Sequence, residues 1–125
     1  MTKTLAKCLN IEVSKTLVSS TGVIGAYLPI ENILDGIENI VKEISEDTKN
    51  AKDCAEAIMT TDTFIKEIAV KIKLKDDAII KIGGISKGSG MIHPNMATML
   101  GFITTDCNIS KKLLEKAFKK CIDSS

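Results

Sequence analysis

A mixed α+β fold is predicted by the 125-residue sequence, because stretches with helical periodicity and stretches with strand periodicity both occur. Between residues 30 and 44, apolar side chains recur every three or four positions, as in an amphipathic helix. Residues 68–74 instead alternate between apolar and polar side chains, and a second β-type stretch follows a short polar turn. We therefore expect a single α+β domain over residues 1–125.

The first half of the chain is predicted to be mainly helical. Residues 4–9 are typical of the end of a helix, and residues 13–19 of a strand that ends in a polar turn at 19–22. The clearest helix begins at residue 30, with glutamates and a lysine opposite its apolar face. A second, shorter helix is predicted over residues 49–59.

The second half changes period. Residues 68–74 and 78–85 are predicted to form a hairpin around the turn Lys75-Asp76-Asp77. After a glycine-rich loop, residues 98–104 are typical of a buried strand, and Ser110 is a suitable N-cap for a final amphipathic helix. The apolar face of that helix is expected to consist of Leu113, Leu114, Ala117, Phe118 and Cys121.

Composition excludes several classes of partner. The formal net charge is +1 and aromatic residues make up 3%, so neither nucleic acid nor a membrane surface is an expected partner. The four cysteines are far apart and the chain has one histidine, so we expect no metal site and interpret the cysteines as reduced thiols. Neither a signal peptide nor a membrane span is recognisable, which leads us to expect a cytoplasmic protein acting on a small molecule.

Thr98 is the candidate nucleophile. It follows a loop in which Gly88 and Gly90 permit tight backbone conformations and Pro94 fixes the approach. A strained peptide bond before a hydroxyl residue can rearrange to an ester, and hydrolysis then frees the threonine amine. With an ordinary pKa of about 8, that amine can serve as the base for its own hydroxyl. The alternative is that Thr98 is simply a β-branched strand residue.

Other residues have both a chemical and a structural interpretation. Thr21 and Gly22 could form an oxyanion hole, or an ordinary turn. Lys87 could neutralise a carboxylate, or lie in solvent, and the hydroxyls of residues 59–63 could hold a polar substrate or cap helix ends. His93 is more typical of a structural residue than of a general base, and the glycine loop lacks the spacing of a phosphate-binding loop.

Three motifs occur in order along the chain: Ser20-Thr21-Gly22-Val23-Ile24-Gly25, Ala57-Ile58-Met59-Thr60-Thr61-Asp62-Thr63, and Lys87-Gly88-Ser89-Gly90-Met91-Ile92 with Pro94-Asn95-Met96-Ala97-Thr98-Met99-Leu100. Together they resemble the ornithine acetyltransferase family, the bifunctional glutamate N-acetyltransferases of arginine biosynthesis. The resemblance extends over about residues 18–106.

The resemblance implies a specific chemistry. Family precursors cleave themselves before the motif threonine, here between Ala97 and Thr98, and Thr98 would then carry the acetyl group from N-acetylornithine to glutamate. Some members also use acetyl-CoA as a donor, and no other cofactor is expected. Thr21 and Gly22 match the oxyanion pair, while Thr61, Lys87 and Thr98 match substrate-binding positions. The family fold resembles a layered αββα sandwich, in which the two cleaved polypeptides assemble into a larger hetero-oligomer.

Family members are longer than this sequence at both ends, so we expect the chain to be a partial domain. Cleavage would divide it into residues 1–97, the end of the α chain, and 98–125, the start of the β chain. We predict that the 125-residue chain alone stays intact and inactive. Two rival hypotheses are a self-cleaving hydrolase or aminopeptidase that passes the acyl group to water, and an inactive truncated remnant. His93 replaces the small residue common in the family, with no role inferred.

Overall fold

The computed structural model describes residues 1–89 and 99–124, and they fall into two compact units, Met1–Ala57 and Ile58–Ser125. The first unit contains helices and the second contains a sheet followed by a helix. The predicted α+β class is therefore confirmed. The predicted division of the chain between Ala97 and Thr98 lies in residues that are not described, and it stays a prediction.

The first unit has three α-helices, α1 (Thr2–Leu9), α2 (Ile30–Ile40) and α3 (Thr48–Ala57). Helix α1 ends because Asn10 adopts the left-handed conformation, with φ 53° and ψ 48°, and the Ile11 amide then donates to the Ala6 carbonyl. Helix α1 contacts α2 and is amphipathic, with Ala6 buried. All three helices are predicted by the sequence, and α2 continues into a 3-10 turn at Val41–Glu43.

Two local predictions for the first unit are wrong. Residues 13–19 contain a 3-10 turn at Val13–Lys15 instead of a strand, because the amide of Thr16 bonds the carbonyl of Val13 three residues earlier. A strand needs a neighbour for its backbone groups, and the described residues offer this segment none. The turn expected at residues 19–22 lies instead at 23–26, where the Ala26 amide bonds the Val23 carbonyl.

The second unit is built on an antiparallel sheet of β1 (Lys66–Lys73), β2 (Ile79–Lys87) and β3 (Leu100–Thr105), with β2 in the centre. The predicted hairpin is confirmed. Its turn is closed by the Leu74 amide donating to the Ala78 carbonyl at 2.8 Å. Strand β3 also agrees with the sequence pattern, but its side chains are largely exposed where a buried strand is expected.

Helix α4 (Lys111–Ile122) follows β3 and begins at the predicted cap. The Ser110 hydroxyl accepts a hydrogen bond from the Leu113 amide at 3.4 Å. The side chains predicted to form its apolar face are exposed, with Leu113 at 58% and Phe118 at 47%. Across the described ranges, every helix is too short or too polar to span a lipid bilayer.

Two glycines in the first unit should respond oppositely to alanine. Gly25 has φ +84°, where an L side chain is strained, whereas Gly36 lies inside α2 with open space where an alanine Cβ would lie. We expect Gly25→Ala to lower the free energy of unfolding by about 1 kcal/mol. Gly36→Ala should raise it by roughly 0.5–1 kcal/mol. Urea denaturation followed by circular dichroism measures both, and effects of the same sign would contradict the assigned backbone conformations.

Candidate functional site

Two of the sequence-predicted site residues, Thr61 and Lys87, lie in the second unit. Thr61 is exposed, just before β1, and Lys87 is the last residue of β2. Thr21 and Gly22 lie in the first unit, exposed and outside any helix or strand. Thr98, Ala97 and His93 lie outside the described residues, so the structure does not test the nucleophile or the cleavage position.

Gly22 has a packing role as well as a predicted chemical one. A Cβ on this residue would lie 3.0 Å from Leu28 Cδ2, so a larger residue would require the leucine to move. The close approach explains why glycine suits this position without reference to a substrate. Its role in an oxyanion hole with Thr21 therefore stays a prediction.

Lys87 is brought to the 60–62 segment by the hairpin. Strands β1 and β2 are antiparallel, and the first residue of β1, Lys66, pairs with Ser86 near the end of β2. The residues that precede β1 therefore lie beside the end of β2. There the Lys87 ammonium donates to Thr60 Oγ1 at 3.0 Å, and the Gly88 amide donates to Asp62 Oδ1 at 2.8 Å. We call these four residues the strand-end clamp.

The Lys87 side chain is buried, although its charge is not neutralised by an ion pair among residues 1–89 and 99–124. A buried ammonium is costly unless its donors are satisfied, and an ammonium has three donors. The hydroxyl of Thr60 takes one of them. The cation is consequently suited to hold an anionic group such as a carboxylate.

Asp62 is the electrostatic centre of the clamp. Its side chain is only 3% exposed, and its Oδ1 accepts from both the Lys66 ammonium and the Gly88 amide. Its other oxygen, Oδ2, is buried and has no hydrogen-bond partner in the described part of the chain. The hydrogen bond from Lys66, and after it the one from Gly88, lowers the pKa of the Asp62 carboxyl to about 2, against an opposing effect of burial. Asp62 is therefore ionised at neutral pH.

Lys66 is held on its other side by an aromatic ring. Its ammonium lies 4.5 Å from the centre of the Phe64 ring, within the range of a cation–π contact. The side chain is about one-third exposed, so the pair with Asp62 is partly open to solvent. The ring and the carboxylate together fix the position of the Lys66 charge.

The sheet also relates the clamp to the candidate nucleophile along the chain. Lys87 is paired with Leu100, the first residue of β3. Thr98 precedes Leu100 by two positions in the sequence. Thr98 itself lies outside the described residues, so its position relative to Lys87 stays a prediction.

The comparison with protein families identifies the chain. The model of the family described as "ArgJ family" matches residues 1–125. The chain belongs to the ArgJ family. An arginine biosynthesis bifunctional protein ArgJ from Thermotoga neapolitana is 54% identical over 125 residues, which are 100% of this chain and 30% of the relative. The protein of the same name from Caldanaerobacter subterraneus subsp. tengcongensis is 50% identical over 123 residues, 98% of this chain and 30% of the relative.

A solved ArgJ structure supports the fold. The crystal structure of the arginine biosynthesis bifunctional protein argJ from Bacillus halodurans is 34% identical, with a TM-score of 0.64. The similarity covers 79% of this chain and 49% of that chain. The chain spans about 30% of the length of the curated ArgJ relatives that it matches.

Sequence reasoning assigned no role to Asp62 or Lys66, whereas Thr60 is among the hydroxyls of residues 59–63 that were considered as substrate contacts. Asp62 stands inside one of the three motifs, but the resemblance points to the neighbouring Thr61, and it does not include Lys66. Asp62 and Lys66 are four residues apart, a spacing that predicts an ion pair when both residues lie in a helix. Here they do not, so the spacing alone does not predict the pair. The bonds from Lys87 and Gly88 span 27 and 26 residues, and no local pattern reports them.

The pKa of Asp62 is open to direct measurement. We expect a carboxyl pKa of about 2 by NMR titration, and a rise toward 3.8 in Lys66→Met because the largest stabilising hydrogen bond to the carboxylate is lost. Lys73→Met is the matched control, since it removes the exposed pair with Asp77. Because the folded-state pKa is lowered, the contribution of Asp62 to stability is present above about pH 4 and is lost as the pH falls toward 2. An Asp62 pKa equal in wild type and Lys66→Met would contradict this assignment.

Proposed function

We propose that the complete protein containing this chain is an acetyltransferase of arginine biosynthesis, which moves an acetyl group from N2-acetylornithine to glutamate. The observation that carries the proposal is the match of the ArgJ family model to residues 1–125. It is supported by relatives about 50% identical that are named bifunctional proteins of arginine biosynthesis. The buried, unneutralised Lys87 is the feature of the described residues that suits such substrates.

Thr98 is the proposed nucleophile, released by cleavage of the Ala97–Thr98 bond. In the precursor the Thr98 hydroxyl adds to the Ala97 carbonyl, and the amide becomes an ester with a free amine. Water then hydrolyses that ester, leaving a carboxylate on Ala97 and an amine on Thr98. The new amine can accept the proton of the adjacent hydroxyl, so no histidine partner is required.

Acetyl transfer then occurs in two balanced steps. The Thr98 hydroxyl attacks the acetyl carbonyl of N2-acetylornithine, the C–N bond breaks, and the proton passes to the ornithine amine as it leaves. The glutamate amine next attacks the acetyl-threonine ester, and the hydroxyl of Thr98 is regained with a proton. Thr21 and Gly22 are proposed to stabilise the oxyanion of both steps. Acetyl-CoA is proposed as a second donor, on the precedent of relatives named bifunctional.

Lys87 is proposed to bind the α-carboxylate of each substrate. N2-acetylornithine and glutamate both carry this group beside the reacting nitrogen, so one cation can orient both in turn. A carboxylate could accept a hydrogen bond from the Lys87 ammonium without displacing Thr60, which takes one donor among the described residues. Thr61 is proposed as a further substrate contact, from its place beside Thr60.

The finer architecture is also part of the proposal. Cleavage before Thr98 would leave β3 on a second polypeptide. That polypeptide would still be joined to β2 by the antiparallel pairing of residues 82–87 with residues 100–105. A layered αββα sandwich would cover the exposed apolar side chains of the sheet, such as Ile68 and Ile103. We propose a hetero-oligomer of the two polypeptides, located in the cytoplasm where amino acids are synthesised.

A Thr98→Ala variant of the complete protein tests this function. We expect intact-mass analysis to find two polypeptides in the wild type and one in the variant, with acetyl transfer to glutamate reduced at least about a thousandfold because the nucleophile is absent. Thr104→Ala, which removes an exposed hydroxyl from β3, is the control and should cleave and transfer normally.

The assay is run with and without glutamate, measuring free acetate. Acetate released equally in both would indicate a hydrolase, and a wild-type precursor that remains uncut would contradict the mechanism. An active Thr98→Ala variant would contradict the assignment of the nucleophile.

A further inference from the structure

We propose that Asp62 is a positioning residue for Lys87: by holding the Gly88 amide, its carboxylate determines where the Lys87 ammonium lies. This inference rests on the proposed function, in which Lys87 binds a substrate carboxylate, and it deepens it by assigning a role to Asp62. Neither Asp62 nor its partner Lys66 is among the site residues predicted from the sequence.

The end of the β-ladder creates the need for such a residue. Lys87 is the last residue of β2, paired with Leu100, so strand pairing no longer directs the backbone at Gly88. Beyond the ladder, the hydrogen bond of 2.8 Å from the Gly88 amide to Asp62 Oδ1 holds the backbone instead. A Cβ on Gly88 would lie 3.2 Å from that same oxygen, which shows how closely the backbone approaches the carboxylate.

The second hydrogen bond of the clamp orients the Lys87 side chain. The Lys87 ammonium donates to Thr60 Oγ1, two residues before Asp62. Backbone and side chain of one lysine are thus held by the same short segment, which precedes β1. A shift of the Asp62–Gly88 contact would move the backbone of Lys87 relative to Thr60, and the ammonium would lose its place.

Lys66 explains how a carboxylate can perform this task without neutralising Lys87. A buried aspartate beside a lysine would ordinarily form an ion pair with it and leave no charge for a ligand. Here Asp62 pairs with Lys66, and within the described ranges Lys87 bonds to a neutral hydroxyl instead. The charge of Lys87 is therefore kept for a substrate carboxylate.

A double-mutant cycle in the complete protein tests this proposal. Lys87→Met should raise KM for N2-acetylornithine and for glutamate roughly 10- to 100-fold, with a smaller change in kcat, because a charged hydrogen bond to substrate is lost. Asp62→Ala should raise the same KM values about tenfold. The double variant should be no worse than Lys87→Met, since Asp62 acts through Lys87.

Two further variants separate positioning from a general structural role. Asp62→Asn keeps an oxygen for the Gly88 amide and should recover most of the KM lost in Asp62→Ala, although it loses the charge pair. Asp77→Asn removes the charge of the exposed pair with Lys73 and should leave KM unchanged. Thermal unfolding of each variant is followed in parallel, so that a change in stability is not mistaken for a change in substrate binding.

Additive effects of Asp62→Ala and Lys87→Met on KM would overturn the proposal, as would an unchanged KM in Asp62→Ala. If Asp62→Ala does not fold, Gly88→Ala disturbs the same contact from the other side and takes its place in the cycle. Absence of acetyl transfer by the wild-type protein would contradict the proposed function and this inference together. Normal transfer with additive KM effects would contradict the inference alone.

Discussion

The hydrogen bond between the Asp62 carboxylate and the Gly88 amide is the interaction on which the candidate site depends. It ties the segment before β1 to the end of the central strand, where the ladder can no longer direct the backbone. The hydrogen bond from Lys66 lowers the pKa of the Asp62 carboxyl, and the hydroxyl of Thr60 accepts a hydrogen bond from the Lys87 ammonium. Together these contacts hold a buried cation for which residues 1–89 and 99–124 supply no ion-pair partner.

Family membership gives this arrangement a chemical context. The chain belongs to the ArgJ family along its whole length, although it spans about 30% of its curated relatives. In an acetyl exchange between two amino acids, the substrates share an α-carboxylate and differ in their side chains. Under the proposed function, a single fixed cation would orient both substrates, and covalent attachment of the acetyl group to Thr98 would let them occupy the site in turn.

The features predicted correctly from the sequence are those that local patterns encode. Alternation over residues 68–74 predicts β1, helical spacing after Ile30 predicts α2, and Ser110 marks the start of α4. The strand expected at residues 13–19 is absent because β-propensity cannot supply a pairing partner. The role of Asp62 escapes sequence reasoning for the same reason: its bond from the Gly88 amide spans 26 residues, and only the hairpin register brings the two residues together.

Amide hydrogen exchange at Gly88 tests the central contact most directly. In the wild-type protein we expect a protected Gly88 amide, although this residue lies beyond the last residue of β2. In Asp62→Ala that amide should exchange faster by about tenfold or more, while amides in the middle of β2 keep their rates. A Gly88 amide that exchanges freely in the wild type, or at the same rate in both proteins, would contradict the role of the Asp62–Gly88 hydrogen bond.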